Sequence, residues 1–265
     1  MNKDSLFTDS LNSVGTWISI GHPTITEISA NLEFDFLLID TEHTPLDLQT
    51  VENMIRGVEA TDETTTVVIR VPDNDPVPIK RVLDLGITTV MVPMVETATE
   101  AREVVDSVLY PPEGNRGVAS GRATEHGARF EEYVENANDL ITTIVQIETP
   151  TGIENVDEIA AIDGVDALFV GPSDLSASMD AFGELSSNSF EEAVEHVIDC
   201  GQKNGVPVGT LTVDPDGIKR CVDQGFDFLI ISKDTASLIR GSREALDRYD
   251  QIHSQAQRTT EHSSR

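Results

Sequence analysis

The stretch FDFLLIDTEHTP, residues 34–45, joins an unbroken apolar run to three side chains that could do chemistry. Asp40, Glu42 and His43 lie within four positions of one another. A histidine titrates near neutral pH, so it acts as a general base when an acid orients and polarises it, and Asp40 is close enough in the chain to be that acid. A lone loop histidine is more often structural, so a catalytic role for His43 depends on the groups around it.

Other polar side chains also follow apolar runs. They are Arg70 in TTTVVIRVP, Gln146 and Glu148 in ITTIVQIET, Ser173 and Asp174 in FVGPSDL, and Lys233 in FDFLIISKDT. The guanidinium of Arg70 could hold an anionic carboxylate or a developing enolate oxygen. The alternative for Arg70 is a buried ion pair with Asp73 or Asp75.

Glu148 and Asp174 would repel each other in a partly dry site unless a cation joined them. Two carboxylate ligands, with other positions left to water or substrate, suit Mg²⁺ or Mn²⁺ better than Zn²⁺, and Co²⁺ is a further candidate. The alternative, equally supported by the spacing, is that each acid caps the helix that follows it. Lys233 suggests a different chemistry, because a lysine at a strand end can form a Schiff base. That mechanism would not need the carboxylate pair.

The elements that position these residues form a repeating pattern. Eight apolar strand candidates occur along the chain, including the stretches at 34–40, 64–72, 141–149 and 226–235, and amphipathic helical patterns separate them. Eight strand-then-helix units predict an α/β fold, a single (β/α)8 TIM barrel, in which the ends of the strands form one mouth. A doubly wound sheet is the alternative, but the first turn, IGHPTITE, lacks G-x-G-x-x-G.

The pattern predicts one domain over residues 1–255, followed by a polar, loose tail over 256–265. An insertion over residues 110–130 interrupts the repeat, and such segments serve as lids, subunit contacts or plain surface loops.

The charge balance excludes some partners. Asp and Glu number 47 against 18 Lys and Arg, which gives a net charge of −29, so neither nucleic acid nor an anionic membrane is an expected partner. We find no apolar run of roughly eighteen residues and no signal-peptide pattern, and we expect a cytoplasmic protein. Cys200 and Cys221 are interpreted as free thiols in a reducing compartment. The acidic excess favours a halophilic cytoplasm over an ordinary acidic enzyme.

Six blocks give the sequence a family resemblance: LLIDTEHTP, VIRVPDNDPVPIKRVLDLG, VMVPMVETATEAREVV, YPPEGNRGVAS, VQIET and FVGPSDLSASMD. Together they resemble the HpcH/HpaI aldolases, which are metal-dependent, pyruvate-using class II enzymes on a phosphoenolpyruvate/pyruvate-type barrel. The resemblance implies reversible cleavage of a 4-hydroxy-2-oxo acid, such as 4-hydroxy-2-oxoheptanedioate or a 2-keto-3-deoxy sugar acid. The products would be pyruvate and an aldehyde, formed through a metal-stabilised pyruvate enolate. It also implies a homo-oligomer, a trimer or hexamer.

By position, the resemblance makes His43 the base, Arg70 the transition-state stabiliser and Asp40 a further acid of the site. It makes Asp84 an acid that raises the basicity of the histidine, delivered by packing or by a neighbouring subunit. The resemblance also makes two strand-end residues metal ligands, Glu148 and Asp174. The substrate contacts that it implies are Gln146, Ser173, Arg70 and Asp174.

Three positions depart from the family pattern: Thr41, Ser173 and Lys233. Thr41 and Lys233 could narrow the mouth of the barrel or change its charge, so the identity of the aldehyde substrate is left open. Two rival functions remain open, a citrate lyase β-like acyl-CoA lyase and a non-catalytic barrel used for binding. The first needs a cationic cluster for the CoA phosphates, which the sequence does not display.

Overall fold

A computed structural model describes residues 13–61 and 64–263, with side chains up to residue 254. Its strands are β1 Ser13–Ile18, β2 Phe36–Asp40, β3 Thr66–Arg70, β4 Thr89–Val92, β5 Thr142–Ile147, β6 Ala167–Val170, β7 Val208–Leu211 and β8 Phe228–Lys233. Its α-helices are α1 Pro23–Ala30, α2 Leu48–Glu59, α3 Pro76–Leu83, α4 Ala98–Val108, α5 Phe130–Leu140, α6 Pro150–Glu154, α7 Val156–Ala160, α8 Pro172–Ser178, α9 Asn188–Asn204, α10 Pro215–Gln224 and α11 Asp234–Ser263.

The eight strands close into a barrel in chain order, and every neighbouring pair is parallel. The predicted (β/α)8 barrel is therefore confirmed. The carboxyl ends of all eight strands meet at one end of the barrel, which we call the mouth. The expected loose tail over residues 256–265 coincides with the end of α11 and with two residues outside the described range, so it stays a prediction.

The apolar side chains divide between two cores because strand residues alternate between the two faces of the barrel wall. The inner core fills the barrel with Trp17, Phe36, Leu38, Val68, Met91, Ile144, Ala167, Phe169, Phe228 and Ile230. The larger outer core lies between the strands and the helices. The aromatic rings of this inner core fill the interior of the barrel, so solvent reaches the barrel axis only near the mouth.

The insertion over residues 110–130 packs against the end of α3. Arg116 forms an ion pair with Asp84, and the Ala123 N–H donates to the Asp84 carbonyl. Because α3 runs back from the mouth, its last residues lie at the opposite end of the barrel. The insertion therefore does not cover this chain's own mouth, which leaves the subunit-contact and surface-loop interpretations. No helix in the described part of the chain has the length and apolarity needed to cross a membrane.

A glycine makes room for the ring of Phe228 inside the barrel. A Cβ atom added at Gly209 on β7 would lie 2.2 Å from Cε2 of Phe228, which is fully enclosed. We expect Gly209→Ala to lower the free energy of unfolding by about 1–3 kcal/mol, because the ring has no space to yield. Urea unfolding measures the loss. Gly241→Ala is the control, since Gly241 is exposed on α11 with no atom within 4 Å of the added Cβ; equal effects of the two substitutions would contradict the packing argument.

Candidate active site

A cavity of about 380 Å³ opens at the mouth of the barrel. Its lining includes side chains from the ends of β1, β2, β3, β5, β6, β7 and β8. They are Trp17, Ser19, Asp40, His43, Arg70, Gln146, Phe169, Gly171, Pro172, Ser173, Asp174, Leu211, Lys233 and Thr235. All the residues to which the sequence gave a role at the site, except Glu148 and Asp84, are in this lining, and Glu42 is also absent from it. Glu148 is buried next to the lining and accepts a hydrogen bond from Gln146, which lines the cavity.

The centre of the mouth is a buried ion pair between Arg70 and Asp40, which face each other in the β2–β3 register. Nε of Arg70 lies 2.9 Å from Oδ1 of Asp40, and Nη2 lies 2.9 Å from Oδ2. The guanidinium stacks 4.5 Å from the centroid of the Trp17 ring, whose Nε1–H donates to Asp40 at 3.3 Å. This bidentate geometry is the strong form of the arginine–carboxylate contact. The predicted alternative partners of Arg70 were wrong: Asp75 caps α3, and Asp73 is exposed.

Asp40 is held in its charged form. Burial alone would raise the pKa of the Asp40 carboxyl, but the hydrogen bonds and charge of Arg70, helped by two backbone N–H groups, hold that pKa below its usual value. The two N–H groups belong to Glu42 and His43 and lie 3.1 and 3.4 Å from Oδ1 of Asp40. Asp40 therefore fixes the backbone of the loop that carries His43.

The carboxylate beside the imidazole is Glu42, for which sequence reasoning had proposed no role. Oε1 of Glu42 lies 3.7 Å from Nε2 of His43, and Oε2 lies 2.7 Å from Nη1 of Arg70. Burial raises the pKa of Glu42, although the neighbouring positive charges of Arg70 and His43 oppose that shift. The His43 ring itself is 65% exposed and faces solvent at the rim. The idea that the Asp40 carboxylate orients this ring is wrong, because Asp40 is occupied by Arg70 and by backbone groups.

Glu148 is buried, and none of the ion pairs in the described part of the chain includes it. Its Oε1 accepts the Met94 N–H at 2.9 Å, and its Oε2 accepts from Nε2 of Gln146 at 3.2 Å. Burial raises the pKa of Glu148 to about 7, and the nearby charges of Asp174 and Glu42 add to the shift despite the Met94 hydrogen bond. Without a bound cation, these surroundings favour the protonated form of Glu148 more than water does.

The backbone is shaped around Glu148. Met94 adopts a φ of 55°, which is unusual for a residue other than glycine and aims its N–H at the carboxylate. A Cβ atom at Gly171 would lie 2.5 Å from Oε2 of Glu148, so any other residue there would displace the carboxylate. A glycine and a methionine in loops carry no sequence signal for this role, and both were missed.

The helix-cap interpretation of the two acids fails for Glu148. The cap of α6 is Thr149, whose hydroxyl accepts the Gly152 N–H. Asp174 lies inside the first turn of α8, one residue after Ser173, and both are exposed on the rim. Asp174 is close enough to Glu148 to raise its pKa, so the two acids predicted as a pair do lie at one site.

Asp84 is the predicted site residue that the fold does not bring to the mouth. It caps the carboxyl end of α3, and its carboxylate lies 3.0 Å from Nη2 of Arg116. That helix end is on the far side of the barrel from His43. Within one chain, packing does not deliver Asp84 to the site.

Comparisons with known proteins agree with this architecture. The model of the HpcH/HpaI aldolase/citrate lyase family matches residues 13–241. A 4-hydroxy-2-oxovalerate aldolase from Novosphingobium aromaticivorans is 40% identical over 243 residues, covering 89% of both chains. A 5-keto-4-deoxy-D-glucarate aldolase from Klebsiella pneumoniae is 35% identical, covering 89% of this chain and 91% of the relative. A crystal structure of an HpcH/HpaI aldolase/citrate lyase family protein from Burkholderia cenocepacia matches with a TM-score of 0.89 and 35% identity, covering 93% of this chain and 98% of that one.

The raised pKa of Glu148 makes a prediction about metal-free protein. Since the folded-state pKa of about 7 exceeds the ordinary value, the Glu148 contribution to stability is lost as the pH rises through 7. Glu148→Gln cannot ionise, so in EDTA at pH 8 it should be more stable than the wild type by roughly 1–3 kcal/mol, and the gain should shrink at pH 5.

Urea unfolding at the two pH values measures this difference. Glu158→Gln is the matched control, because it removes the same charge from an exposed position. A gain for Glu148→Gln that is the same at both pH values, or no larger than that of the control, would contradict the prediction.

Proposed function

The chain belongs to the HpcH/HpaI aldolase/citrate lyase family and is a lyase, and we propose that it reversibly cleaves a 4-hydroxy-2-oxo acid to pyruvate and an aldehyde. The observation that carries the proposal is the buried Glu148 carboxylate, which no cation of the described chain neutralises, at a mouth that also holds Arg70 and His43. A divalent cation and an anionic oxo acid would complete that charge arrangement.

The residues present fit a divalent metal ion. Glu148 and Asp174 supply hard carboxylate oxygens, and within the described residues Oε1 of Gln146 is buried with no hydrogen-bond partner. No group of three or more His, Cys, Asp or Glu suited to a metal occurs in that part of the chain, so two protein carboxylates would hold the ion. Such a site suits Mg²⁺ or Mn²⁺, with Co²⁺ as a further candidate. When bound, the cation supplies positive charge that stabilises negative charge developing on the oxo acid.

Arg70 supplies the fixed positive charge of the chain itself. Its Nε and both Nη atoms are held by Asp40 and Glu42, and its face rests on Trp17. A guanidinium fixed in this way needs no reorganisation as charge develops on the substrate oxygen, which is how preorganised groups lower a barrier. Ser173 and Gln146 line the same cavity and would contact the oxo acid.

His43 is the proposed base. In cleavage it would take the proton of the 4-hydroxyl group, directly or through a water. The bond between C3 and C4 then breaks, its electron pair moves toward the C2 carbonyl, and the aldehyde leaves. Protonation of C3 yields pyruvate, so atoms and electrons balance without an oxidant. Glu42, 3.7 Å from the ring, would favour the protonated imidazole that forms during the step.

The role proposed for Asp84 requires more than one chain. Because Asp84 lies at the opposite end of the barrel from His43, it could act on that histidine only from a neighbouring subunit. A trimer or hexamer is therefore part of the proposal. A non-catalytic barrel does not account for Glu148, since a buried, unneutralised carboxylate costs stability without serving any binding surface.

The acyl-CoA lyase alternative is weaker on charge grounds. CoA phosphates call for several cations, but Arg70 and Lys233 are the only lysine or arginine residues in the lining of the mouth cavity, and Arg70 is already paired. This count covers the part of the chain that the structure describes.

Removal of the proposed base tests the reaction. We expect His43→Ala to lower turnover, measured as pyruvate release in a coupled assay, by about 10²–10⁴-fold while Mn²⁺ binding is unchanged. His196→Ala, an exposed histidine on α9, is the control and should behave as the wild type. Turnover of His43→Ala close to that of the wild type would remove His43 from the mechanism.

Calorimetry with Mn²⁺ tests the metal site. Two protein carboxylates should bind Mn²⁺ modestly and bind it more tightly when pyruvate is present, because coupling between two ligands is reciprocal. Glu148→Gln and Asp174→Asn should each lose Mn²⁺ binding and activity together, whereas Glu158→Gln should lose neither. If both site variants bind Mn²⁺ as tightly as the wild type does, the metal site lies elsewhere.

A further inference from the structure

Lys233 is a cation at the mouth that the proposed mechanism does not use. It is the last residue of β8, it is half-buried, and its side chain lines the mouth cavity. Its Cα pairs in register with that of Trp17 on β1. In the ranges that the structure describes, none of the ion pairs formed within 4.0 Å includes Lys233.

Two acids close to Lys233, one next to it in the chain and one in the lining of the same cavity, already have partners. Oδ2 of Asp234 accepts the N–H groups of Ser19 and Ile20 at 2.9 and 2.7 Å, and its Oδ1 accepts from Thr235. Asp40 is bonded to Arg70 on both oxygens. Among the described residues, Lys233 thus lines the cavity without an ion-pair partner, in a chain whose net charge is −29.

The position of Lys233 separates it from the place proposed for pyruvate. Arg70 ends β3 and Glu148 follows β5, so β8 is three strands away from each around the barrel. At about 4.8 Å per strand, that separation is roughly 14 Å along the wall. Lys233 therefore enters the cavity from a different side than Arg70 and Glu148, where the far end of a substrate longer than pyruvate would meet it.

We propose that Lys233 binds a carboxylate at the far end of the aldehyde partner and makes the site selective for anionic aldehydes. This inference rests on the proposed aldolase function and names the class of its second substrate. An ammonium group is a compact charge with three donors on a flexible stem, so it accepts carboxylates over a range of positions. Trp17 and Leu211 beside it supply apolar walls for the carbon chain between the two ends.

Two pairs of aldehydes test the selectivity, each pair matched in the number of carbon atoms. Aldol addition of pyruvate to succinic semialdehyde is compared with addition to butanal, and glyoxylate is compared with acetaldehyde. The effect is measured on the aldehyde pair that the wild type uses. For the anionic aldehyde of that pair, we expect Lys233→Met to lower kcat/KM by about 10–100-fold, mainly by raising KM. Addition to the neutral member should change little.

Two variants serve as controls. Lys233→Arg keeps the charge and should retain the preference for the anionic aldehyde. Lys219→Met removes an exposed lysine that pairs with Asp223, so it makes the same change in net charge far from the mouth and should leave the preference unchanged. The wild-type preference should also fall as salt is added, because mobile ions screen the charge.

Proton exchange separates this inference from the aldolase proposal. Exchange of the pyruvate methyl protons in D₂O, followed by NMR, needs no aldehyde and should persist in Lys233→Met. Loss of exchange in that variant would mean that Lys233 acts on pyruvate. Equal losses of kcat/KM for the anionic and the neutral aldehyde of a pair would mean that Lys233 does not select for charge. A borohydride-trapped pyruvate adduct on Lys233 would make it a Schiff-base lysine. Each of these results overturns the inference.

The wild type itself provides the remaining outcomes. The wild type could exchange the pyruvate protons without adding pyruvate to any of the four aldehydes. That result would support the proposed use of pyruvate and overturn the role of Lys233. Neither exchange nor addition, in the presence of Mn²⁺, would overturn the proposed function together with the inference that rests on it.

Discussion

The ion pair between Arg70 and Asp40 is the contact on which the rest of the mouth depends. Both side chains are almost fully buried, and each is costly there without the other, because the remaining charge would have no compensation. The pair joins β2 to β3, supports the Trp17 ring, and uses the same Asp40 carboxylate to hold the backbone N–H groups of the following loop. The position of His43 is thus fixed through the backbone, while its ring stays free at the rim.

Glu148 is the opposite case, a buried carboxylate with no ion-pair partner among the residues that the structure describes. A positive φ at Met94, a glycine at position 171 and the amide of Gln146 all accommodate it. Each of these features costs stability or restricts the sequence, and none improves the packing of the barrel. Arg70 and Asp40 on β2–β3 neutralise each other, whereas Glu148 after β5 is not neutralised. The mouth therefore holds one fixed cation, Arg70, and one position that attracts a cation, Glu148.

The packed interior of the barrel limits how far into the barrel a substrate can bind. Aromatic rings from β1, β2, β6 and β8 fill the axis, and Phe169 and Trp17 form the floor of the cavity as well as the top of the inner core. Substrate is therefore confined to a shallow space bounded by strand ends, where charged side chains from different strands lie across from one another. That arrangement allows Arg70 and Lys233 to act on opposite ends of one molecule.

The sequence by itself determined the barrel and the identity of most residues at its mouth. Continuous apolar runs ending in Asp40, Arg70, Glu148 or Lys233 are typical of buried parallel strands with polar ends, and the periodicity between them is typical of amphipathic helices. The family motifs added the roles of these residues and the expected metal. Both kinds of signal are local, since each lies within ten or twenty consecutive positions.

Tertiary structure alone decided which of these residues meet. The sequence offered Asp73 or Asp75 to Arg70 and offered Asp40 to His43. Arg70 instead pairs with Asp40, which the β2–β3 register sets opposite it, and with Glu42 from the loop after β2. Asp84 is near Arg70 in the chain but lies at the other end of the barrel, since α3 carries it away from the mouth. Pairing across strands depends on register and on helix direction, and both are set by the closure of the whole barrel rather than by neighbouring residues.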